Sequence, residues 1–378
     1  MNRKVVIIHN IIAPYKVVLF NELSKIIPNM EVVFIAEKEK RRDWSIDYNK
    51  IKFPFTLLFK GSIDSINSFA IAKKTWRILE TIRPDTSIIC DYSNIFGWIA
   101  LKWAKNNNNN LIFWLDSTYD DRKHFFPKEQ IKHFFLKHFD AFFSPGKKSK
   151  QYLEYMKVDG SKITTTGYCV DNEFFVKQFY LFKNNKESLL NELIIKKRNN
   201  FIFIGRFAPE KNIFNLLNSF LVVSKNNNEW GLILLGDGPL KNEINTFISN
   251  NNLQDKITLP GFIQQDEIVK YLTVANVLIL PSLSEPWGLV VNEAMLCSMP
   301  VIVSNRCGCA PELVKEGVNG FSFDPLDKHK LELLMDGFIK DKYDLNSMGK
   351  ESLKIVSQHS PEIIASVISD KINDLYKT

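Results

Sequence analysis

The chain has 378 residues with 45% hydrophobic content, enough for two domains with separate cores, and its apolar runs fall short of the roughly 18 to 20 residues that span a bilayer. Its net charge of +7 favours anionic partners, namely nucleotide phosphates, an anionic membrane or, less readily, nucleic acid, although the abundance of Asn, Lys and Ile also fits a bias of the coding DNA. The odd count of 5 cysteines and the absence of a secretory cleavage pattern predict a reducing, cytoplasmic location.

The first half of the sequence alternates short apolar runs with longer amphipathic segments. The predicted strands are 5–9, 31–36, 53–59, 87–91, 111–115 and 141–144. The predicted helices are 15–27, 68–81, 95–105, 129–138 and 148–156. Strands separated by helical segments predict βαβ units and a parallel sheet.

A second alternating series begins near residue 200. Its predicted strands are 201–205, 231–235, 256–259, 277–280 and 301–304. The polar stretch between the two series predicts a linker at 176–199, with a short helix at 186–195. An apolar stripe after Pro361 predicts a terminal amphipathic helix.

These patterns predict an α/β protein with two doubly wound, Rossmann-like domains that face each other across a cleft. The first domain is expected at 1–175, with the helix at 361–378 packing back on it, and the second at 200–360. In such sheets, ligands bind beyond the carboxyl ends of the strands.

The stretch SEPWGLVVNEA carries two glutamates, Glu285 and Glu293, with seven residues between them. The apolar run 274–281 before it predicts a buried strand, and Gly288 begins a turn into a helix. The free amides of Gly288, Leu289 and Val290 would then suit an anionic phosphate. A protein can hold a sugar nucleotide in this way, with the phosphate bound by the backbone amides and the sugar hydroxyl groups bound by the flanking carboxylates.

Two further turns connect a strand to a helix in this domain. In GRFAPEKN at 205–212, Arg206 can grip two phosphate oxygens and Lys211 adds a point charge, although two solvated cations near a helix are the plainer interpretation. GDGPL at 236–240 fits a simple tight turn as well as it fits a ligand contact.

Together these motifs resemble the retaining glycosyltransferases of the two-Rossmann-domain (GT-B) type, and in particular family 4 within the glycosyl transferases group 1. The resemblance rests on the motifs at 205–212 and 236–240 and on the stretches 280–305 and 310–325, and it covers the second domain nearly from end to end. The first domain is only loosely similar.

The resemblance implies roles for the matching residues. Arg206 and Lys211 would neutralise the diphosphate, Glu293 would hold the ribose hydroxyls, and Glu285 would lie beside the donor sugar and the leaving phosphate. The amides of 288–290 would complete the phosphate site. No metal and no cofactor is expected beyond the nucleotide-diphosphate sugar, because the cations and the helix start stabilise the departing charge.

The first domain departs from the family pattern in two places. Many relatives have a glycine-rich loop after the first strand, whereas this chain has NIIAPY at 10–15. Many also carry a histidine where this chain reads WLDST at 114–118. Asp116 is therefore a candidate for orienting the acceptor hydroxyl or balancing positive charge, and a loop or helix cap is its alternative interpretation. His9, a lone histidine near a strand end, fits a structural role better.

Cations and aromatic residues interleave at 123–126 and 132–139. This composition suits an interfacial helix near a lipid-linked acceptor and makes an anionic membrane a candidate partner. A half-buried core helix whose charges face solvent explains the pattern at least as well.

The leading hypothesis is a cytoplasmic, retaining glycosyltransferase, peripheral to the membrane if the helix is interfacial. It would move a sugar from a nucleotide diphosphate to a glycan or lipid-linked glycan in bacterial surface polysaccharide synthesis. One alternative is another enzyme on the same architecture, such as a sugar-nucleotide epimerase or a glycosyl phosphorylase. Another is a basic membrane- or nucleic-acid-binding scaffold with a degenerate donor site.

Overall fold

The computed structural model describes residues 3–40, 46–121 and 126–377, without the side chains of residues 126 and 328. The chain divides into two compact units. The first comprises Met1–Val170 together with Ser360–Thr378, and the second comprises Asp171–His359.

Strands and helices alternate through both units. The strands are β1 (Val5–Ile11), β2 (Met30–Lys38), β3 (Phe55–Ser62), β4 (Thr86–Ile89), β5 (Asn110–Trp114), β6 (Ala141–Ser144), β7 (Ile163–Thr165), β8 (Asn199–Ile204), β9 (Trp230–Leu235), β10 (Ile257–Gly261), β11 (Val277–Leu280), β12 (Val301–Ser304) and β13 (Gly320–Phe323). The α-helices are α1 (Pro14–Ile26), α2 (Ser68–Ile82), α3 (Ile95–Asn106), α4 (Phe126–Leu136), α5 (Lys147–Tyr155), α6 (Asn172–Lys183), α7 (Lys186–Glu192), α8 (Ile213–Ser224), α9 (Lys241–Asn250), α10 (Gln265–Val274), α11 (Leu289–Leu296), α12 (Ala310–Leu313), α13 (Lys328–Ile339), α14 (Leu345–Val356) and α15 (Pro361–Asp374).

Each unit contains one sheet whose neighbouring strands are all parallel. The first sheet has the order β3-β2-β1-β4-β5-β6-β7, and the second has the order β10-β9-β8-β11-β12-β13. The predicted α/β class with two doubly wound sheets is therefore confirmed. The order reverses between β1 and β4 in the first sheet and between β8 and β11 in the second. Such switch points are where doubly wound sheets bind ligands.

The sequence did not predict β7 and β13, each of which is one of the two edge strands of its sheet. β7 has only three residues, two of them threonines, and in β13 a glycine and a serine interrupt the apolar run. The other strands begin and end within a few residues of their predicted positions. Apart from the edge strands β3 and β10, their apolar runs are buried along most of their length.

The last helix, α15, packs against α1 in the first unit. Its stripe of Ile364, Ile368 and Ile372 joins one core cluster with Phe20 and Leu23 of α1. The apolar spacing visible in the sequence is thus the face that the helix buries.

The segment predicted as a linker contains most of α6 and all of α7. Asp171 caps α6 by accepting a hydrogen bond from the Phe174 amide at 3.0 Å. Phe175 and Phe179 of α6 are buried, and both helices pack on α10. The segment is therefore built into the second unit. Within the described ranges, no helix combines the length and apolar character that crossing a membrane requires.

Candidate active site

Lys211 and Glu285 meet at the switch point of the second sheet. Lys211 lies in the connection after β8 and Glu285 in the connection after β11, and the Lys211 ammonium donates a hydrogen bond to Glu285 Oε2. The two side chains are 17% and 15% exposed, respectively. The loops also meet through their backbones, since the Leu283 amide donates to the Glu210 carbonyl at 2.8 Å. Two residues that lie far apart in the sequence thus form one partly buried ion pair.

Two glycines allow the backbone of the loop that carries Glu285 to adopt its conformation. A Cβ on Gly308 would lie 1.8 Å from the Pro286 carbonyl oxygen, and the Gly308 amide donates to the Glu285 carbonyl at 2.9 Å. Gly288 has a φ of 101°, and a Cβ there would come within 2.8 Å of the Leu280 side chain. Side chains at either position would displace the loop that carries the Glu285 carboxylate.

Helix α11 follows Gly288 directly and carries Glu293. The Trp287 indole donates to Asn292 Oδ1 at 2.9 Å and secures the start of the helix. Its first amides, including those of Leu289 and Val290, have no acceptor within the helix, which is the general property of a helix start. Burial raises the pKa of Glu293 to about 7, so this carboxyl group changes between its neutral and ionised forms near neutral pH.

Arg206 follows β8 in the same connection as Lys211, but its side chain is exposed. Among the described residues it has no ion-pair partner. The structure therefore brings Lys211 and Glu285 together, whereas the contact of Arg206 with a diphosphate stays a prediction, as do the ligand roles of 288–290 and Glu293.

In the first unit, Asp116 follows β5 and pairs with a residue that the motifs did not indicate. Lys16 Nζ, in the first turn of α1, lies 3.6 Å from Asp116 Oδ2. Lys16 is 1% exposed, whereas 34% of the Asp116 side chain is exposed. The one sequence signal for Lys16 is its spacing from Phe20 and Leu23, which places a lysine on the buried stripe of α1.

His9 is buried at the end of β1, with Nδ1 2.8 Å from the Ile11 carbonyl oxygen. Its ring lies edge-on to Phe20 and Phe34. These contacts agree with the structural interpretation of this histidine.

The stretch 132–139 divides between the core and the surface. Lys132 is buried and donates hydrogen bonds to Glu129 and to the Tyr152 hydroxyl, both at 2.7 Å. Phe135 and Phe139 are also in the core, whereas Phe134 is 51% exposed. The core-helix interpretation thus accounts for much of this pattern. Residues 123–125 and the side chain of Phe126, which belong to the other predicted stretch, lie outside the described part of the chain.

The whole chain shares its fold with solved structures. HepE of Anabaena in complex with UDP superposes with a TM-score of 0.79 and 16% identity, over 98% of this chain and 100% of that chain. With the two parallel sheets and their switch points, this defines the class as the GT-B fold. Residues 184–354 match the family described as glycosyl transferases group 1. The match lies within the second unit.

Curated relatives match parts of the chain. An uncharacterized glycosyltransferase of Methanocaldococcus jannaschii is 32% identical over 46% of this chain and 48% of its own length. The UDP-Gal:alpha-D-GlcNAc-diphosphoundecaprenol alpha-1,3-galactosyltransferase of Escherichia coli is 30% identical over 62% of this chain and 66% of its own length. Alpha-monoglucosyldiacylglycerol synthase of Acholeplasma laidlawii is 24% identical over 80% of both chains. The chain thus spans about half to just under two thirds of the first two relatives.

Proposed function

We propose that the protein is a retaining glycosyltransferase of family 4 that transfers a sugar from a nucleotide diphosphate without a metal ion. The observation that carries this proposal is the Lys211–Glu285 pair at the switch point of the second sheet, followed by Glu293 in α11. A cation, a helix start and two carboxylates within one edge of a sheet suit a diphosphate with a sugar on either side.

The proposed reaction breaks the bond between the anomeric carbon of the sugar and the diphosphate oxygen. The electron pair leaves with the diphosphate, and Lys211, Arg206 and the amides of 288–290 stabilise the charge that develops there. The acceptor hydroxyl attacks from the same face and loses its proton to the departing phosphate. Attack from that face preserves the anomeric configuration and requires no nucleophile from the protein.

The proposed acceptor is a glycan or lipid-linked glycan in bacterial surface polysaccharide synthesis. Two relatives support a lipid-attached acceptor, because their names specify diphosphoundecaprenol and diacylglycerol. HepE, which shares the fold, was solved with UDP, so uridine nucleotides head the donors to be tested.

The test is a panel of UDP-, GDP- and ADP-sugars, assayed first for thermal stabilisation and then for transfer to a lipid-linked saccharide. We expect one nucleotide class to raise the melting temperature, and the product to keep the anomeric configuration of the donor by NMR. EDTA should leave the rate unchanged. An epimerised donor without a transfer product, or a product with inverted configuration, would contradict the proposal.

We propose an anionic membrane surface as a second partner of the first unit. A groove of about 350 Å³ on this unit is lined by Trp98, Ile99, Leu101, Lys102, Lys105, Phe134 and His138. Ile131 is 56% exposed nearby on α4, and Lys137 Nζ lies 4.3 Å from the Phe134 ring centre. The pKa of His138 is lowered by burial and by the charges of Lys137 and Lys105, which marks a concentration of cations. Apolar side chains ringed by cations suit anionic lipid.

Vesicle sedimentation tests this surface. The protein should pellet with vesicles that contain phosphatidylglycerol at low salt, and Phe134→Asp should abolish pelleting. Phe69→Asp on α2 is the matched control, because Phe69 is 76% exposed in the same unit but lies outside the groove. Equal pelleting of the two variants would refute the assignment.

A further inference from the structure

The carboxyl end of β5 in the first unit concentrates buried polar atoms without a hydrogen-bond partner. Within the described ranges, these atoms are Lys16 Nζ, Trp114 Nε1, Asp116 Oδ1 and Thr118 Oγ1. Folded proteins satisfy most buried polar groups, so three exceptions on one short segment, with a fourth on the lysine that pairs with it, require an explanation. The segment lies beside the switch point between β1 and β4, where a doubly wound sheet offers its ligand site.

Lys16 is held among aromatic rings. Its ammonium nitrogen lies 3.9 Å from the ring centre of Trp114 and 4.7 Å from that of Tyr168. Attraction to the ring faces stabilises the charge, and Asp116, at 3.6 Å, is its one carboxylate partner among the described residues. Removing either partner would leave a poorly compensated charge at a site closed to water on the lysine side.

The other titratable groups around this pair come from helix α1 and from the connections after β4 and β7. They are Tyr15 before Lys16 in α1, Cys90 and Asp91 after β4, and Tyr168 after β7. Burial and the negative charge of Asp116 raise the pKa of Tyr168 well above its ordinary value, so this hydroxyl keeps its proton beside Asp116. Burial likewise raises the pKa of the Cys90 thiol. Lys16 is thus the cation that pairs with Asp116, and the other groups named here carry no positive charge.

Lys16 and Asp116 differ in solvent exposure, and this difference determines which of them can contact a ligand. At 1% exposure Lys16 cannot touch a ligand, whereas Asp116 presents a third of its side chain. We infer that Lys16 is a positioning residue that fixes the Asp116 carboxylate at the edge of the first sheet, where this carboxylate accepts a hydrogen bond from the hydroxyl of the acceptor. The inference rests on the proposed function and names the subsite for the acceptor.

The test is a double-mutant cycle of Lys16→Met, Asp116→Asn and the double variant, assayed with donor and acceptor. Each single variant should lower kcat/KM for the acceptor, on the order of 10²-fold for Asp116→Asn. The double variant should be no slower than Asp116→Asn, because Lys16 acts through Asp116. Lys16→Arg, which keeps a cation beside Asp116, should recover part of the acceptor kcat/KM that Lys16→Met loses.

Lys25→Met is the matched control, since Lys25 lies on the same helix with 68% of its side chain exposed. Donor affinity, measured by calorimetry, should stay within twofold in every variant. Additive losses in the cycle, an unchanged acceptor kcat/KM in Lys16→Met, or no recovery in Lys16→Arg would overturn the inference while the proposed function stands. If the wild-type protein transfers no sugar, the proposed function fails and the inference fails with it.

Should Lys16→Met not fold, Tyr168→Phe removes the hydroxyl whose pKa burial and Asp116 raise and keeps the ring beside Lys16. A loss of acceptor kcat/KM in this variant that disappears in the Asp116→Asn background would support an Asp116 fixed by its neighbours. A loss that persists in that background would contradict it.

Discussion

Each unit places a lysine and a carboxylate at the carboxyl edge of its sheet, but the two pairs differ in depth. Lys16 is 1% exposed and Asp116 is 34% exposed, whereas Lys211 and Glu285 are 17% and 15% exposed. In the first pair the cation is sealed and only the carboxylate can meet a ligand. In the second pair both groups reach the surface, so neither is closed to a ligand. The same topology thus yields two kinds of ion pair, and burial decides which member is available for chemistry.

Removing the cations of the second unit should have the largest effect. Arg206→Ala combined with Lys211→Ala should lower kcat by at least ~10²–10³-fold, because the departing diphosphate loses its compensating charge. Steady-state kinetics with saturating donor measures this. The matched control removes two exposed lysines of the same unit, Lys340→Ala with Lys354→Ala, and should keep the wild-type rate. A normal kcat in the variant that lacks both Arg206 and Lys211 would remove the proposed difference between the two units.

Glu293 sharpens the comparison on the donor side. Glu293→Ala should weaken nucleotide binding by ~1.5–3 kcal/mol, about 10- to 100-fold, the range for hydrogen bonds to a charged group. With a pKa near 7, the carboxylate gains its charge as pH rises, so affinity for a nucleotide sugar should increase between pH 6 and 8. Calorimetry across this range measures both effects.

Glu293→Gln is the control for the pH dependence, because it keeps an acceptor oxygen without a titrating proton. Its affinity should be lower than that of the wild type above pH 7 and constant with pH. In the free protein the raised pKa acts in the opposite direction. The stability that this group contributes is complete below its ordinary pKa of 4.5 and is lost as pH rises through about 7. A wild-type affinity that is flat with pH would refute the ribose assignment.

The smallest effect concerns the loop that holds Glu285. Gly288→Ala should destabilise the protein by ~1–3 kcal/mol, because φ is positive and the new Cβ meets the Leu280 side chain. Gly261→Ala is the matched control, since its φ is 91° but nothing lies within 4 Å of the new Cβ. Urea unfolding of the two variants should show the greater loss for Gly288→Ala. Equal losses would mean that packing around the loop contributes nothing beyond backbone strain.

Much of the fold follows from local patterns. The apolar runs that form β1 and β11 are buried over nearly their whole length, so their apolar character and length identify them in the sequence. Helix α15 was visible as a stripe because one of its faces is buried. Elements with few residues or mixed polarity, such as β7 and α6, depend on contacts with distant segments. They are therefore harder to recognise from the sequence.

The two units also differ in how much of their candidate sites the sequence shows. In the second unit Lys211, Glu285 and Glu293 stand in short strand-to-helix motifs, whose spacing identifies them because each motif is one local turn. In the first unit Lys16 and Asp116 meet only because the ends of β1 and β5 lie near each other in the sheet. No local sequence pattern predicts the contact between Lys16 and Asp116.

By itself, the sequence determined the α/β class, the two alternating series and the match of its second half to the glycosyl transferases group 1. The tertiary structure alone decided that Lys16 is sealed against Trp114, that Lys211 pairs with Glu285, and that part of the aromatic stretch on α4 is core. The physical reason is that apolar period and turn chemistry act between neighbours in the chain. Burial and ion pairing depend on which distant segments the sheet brings together.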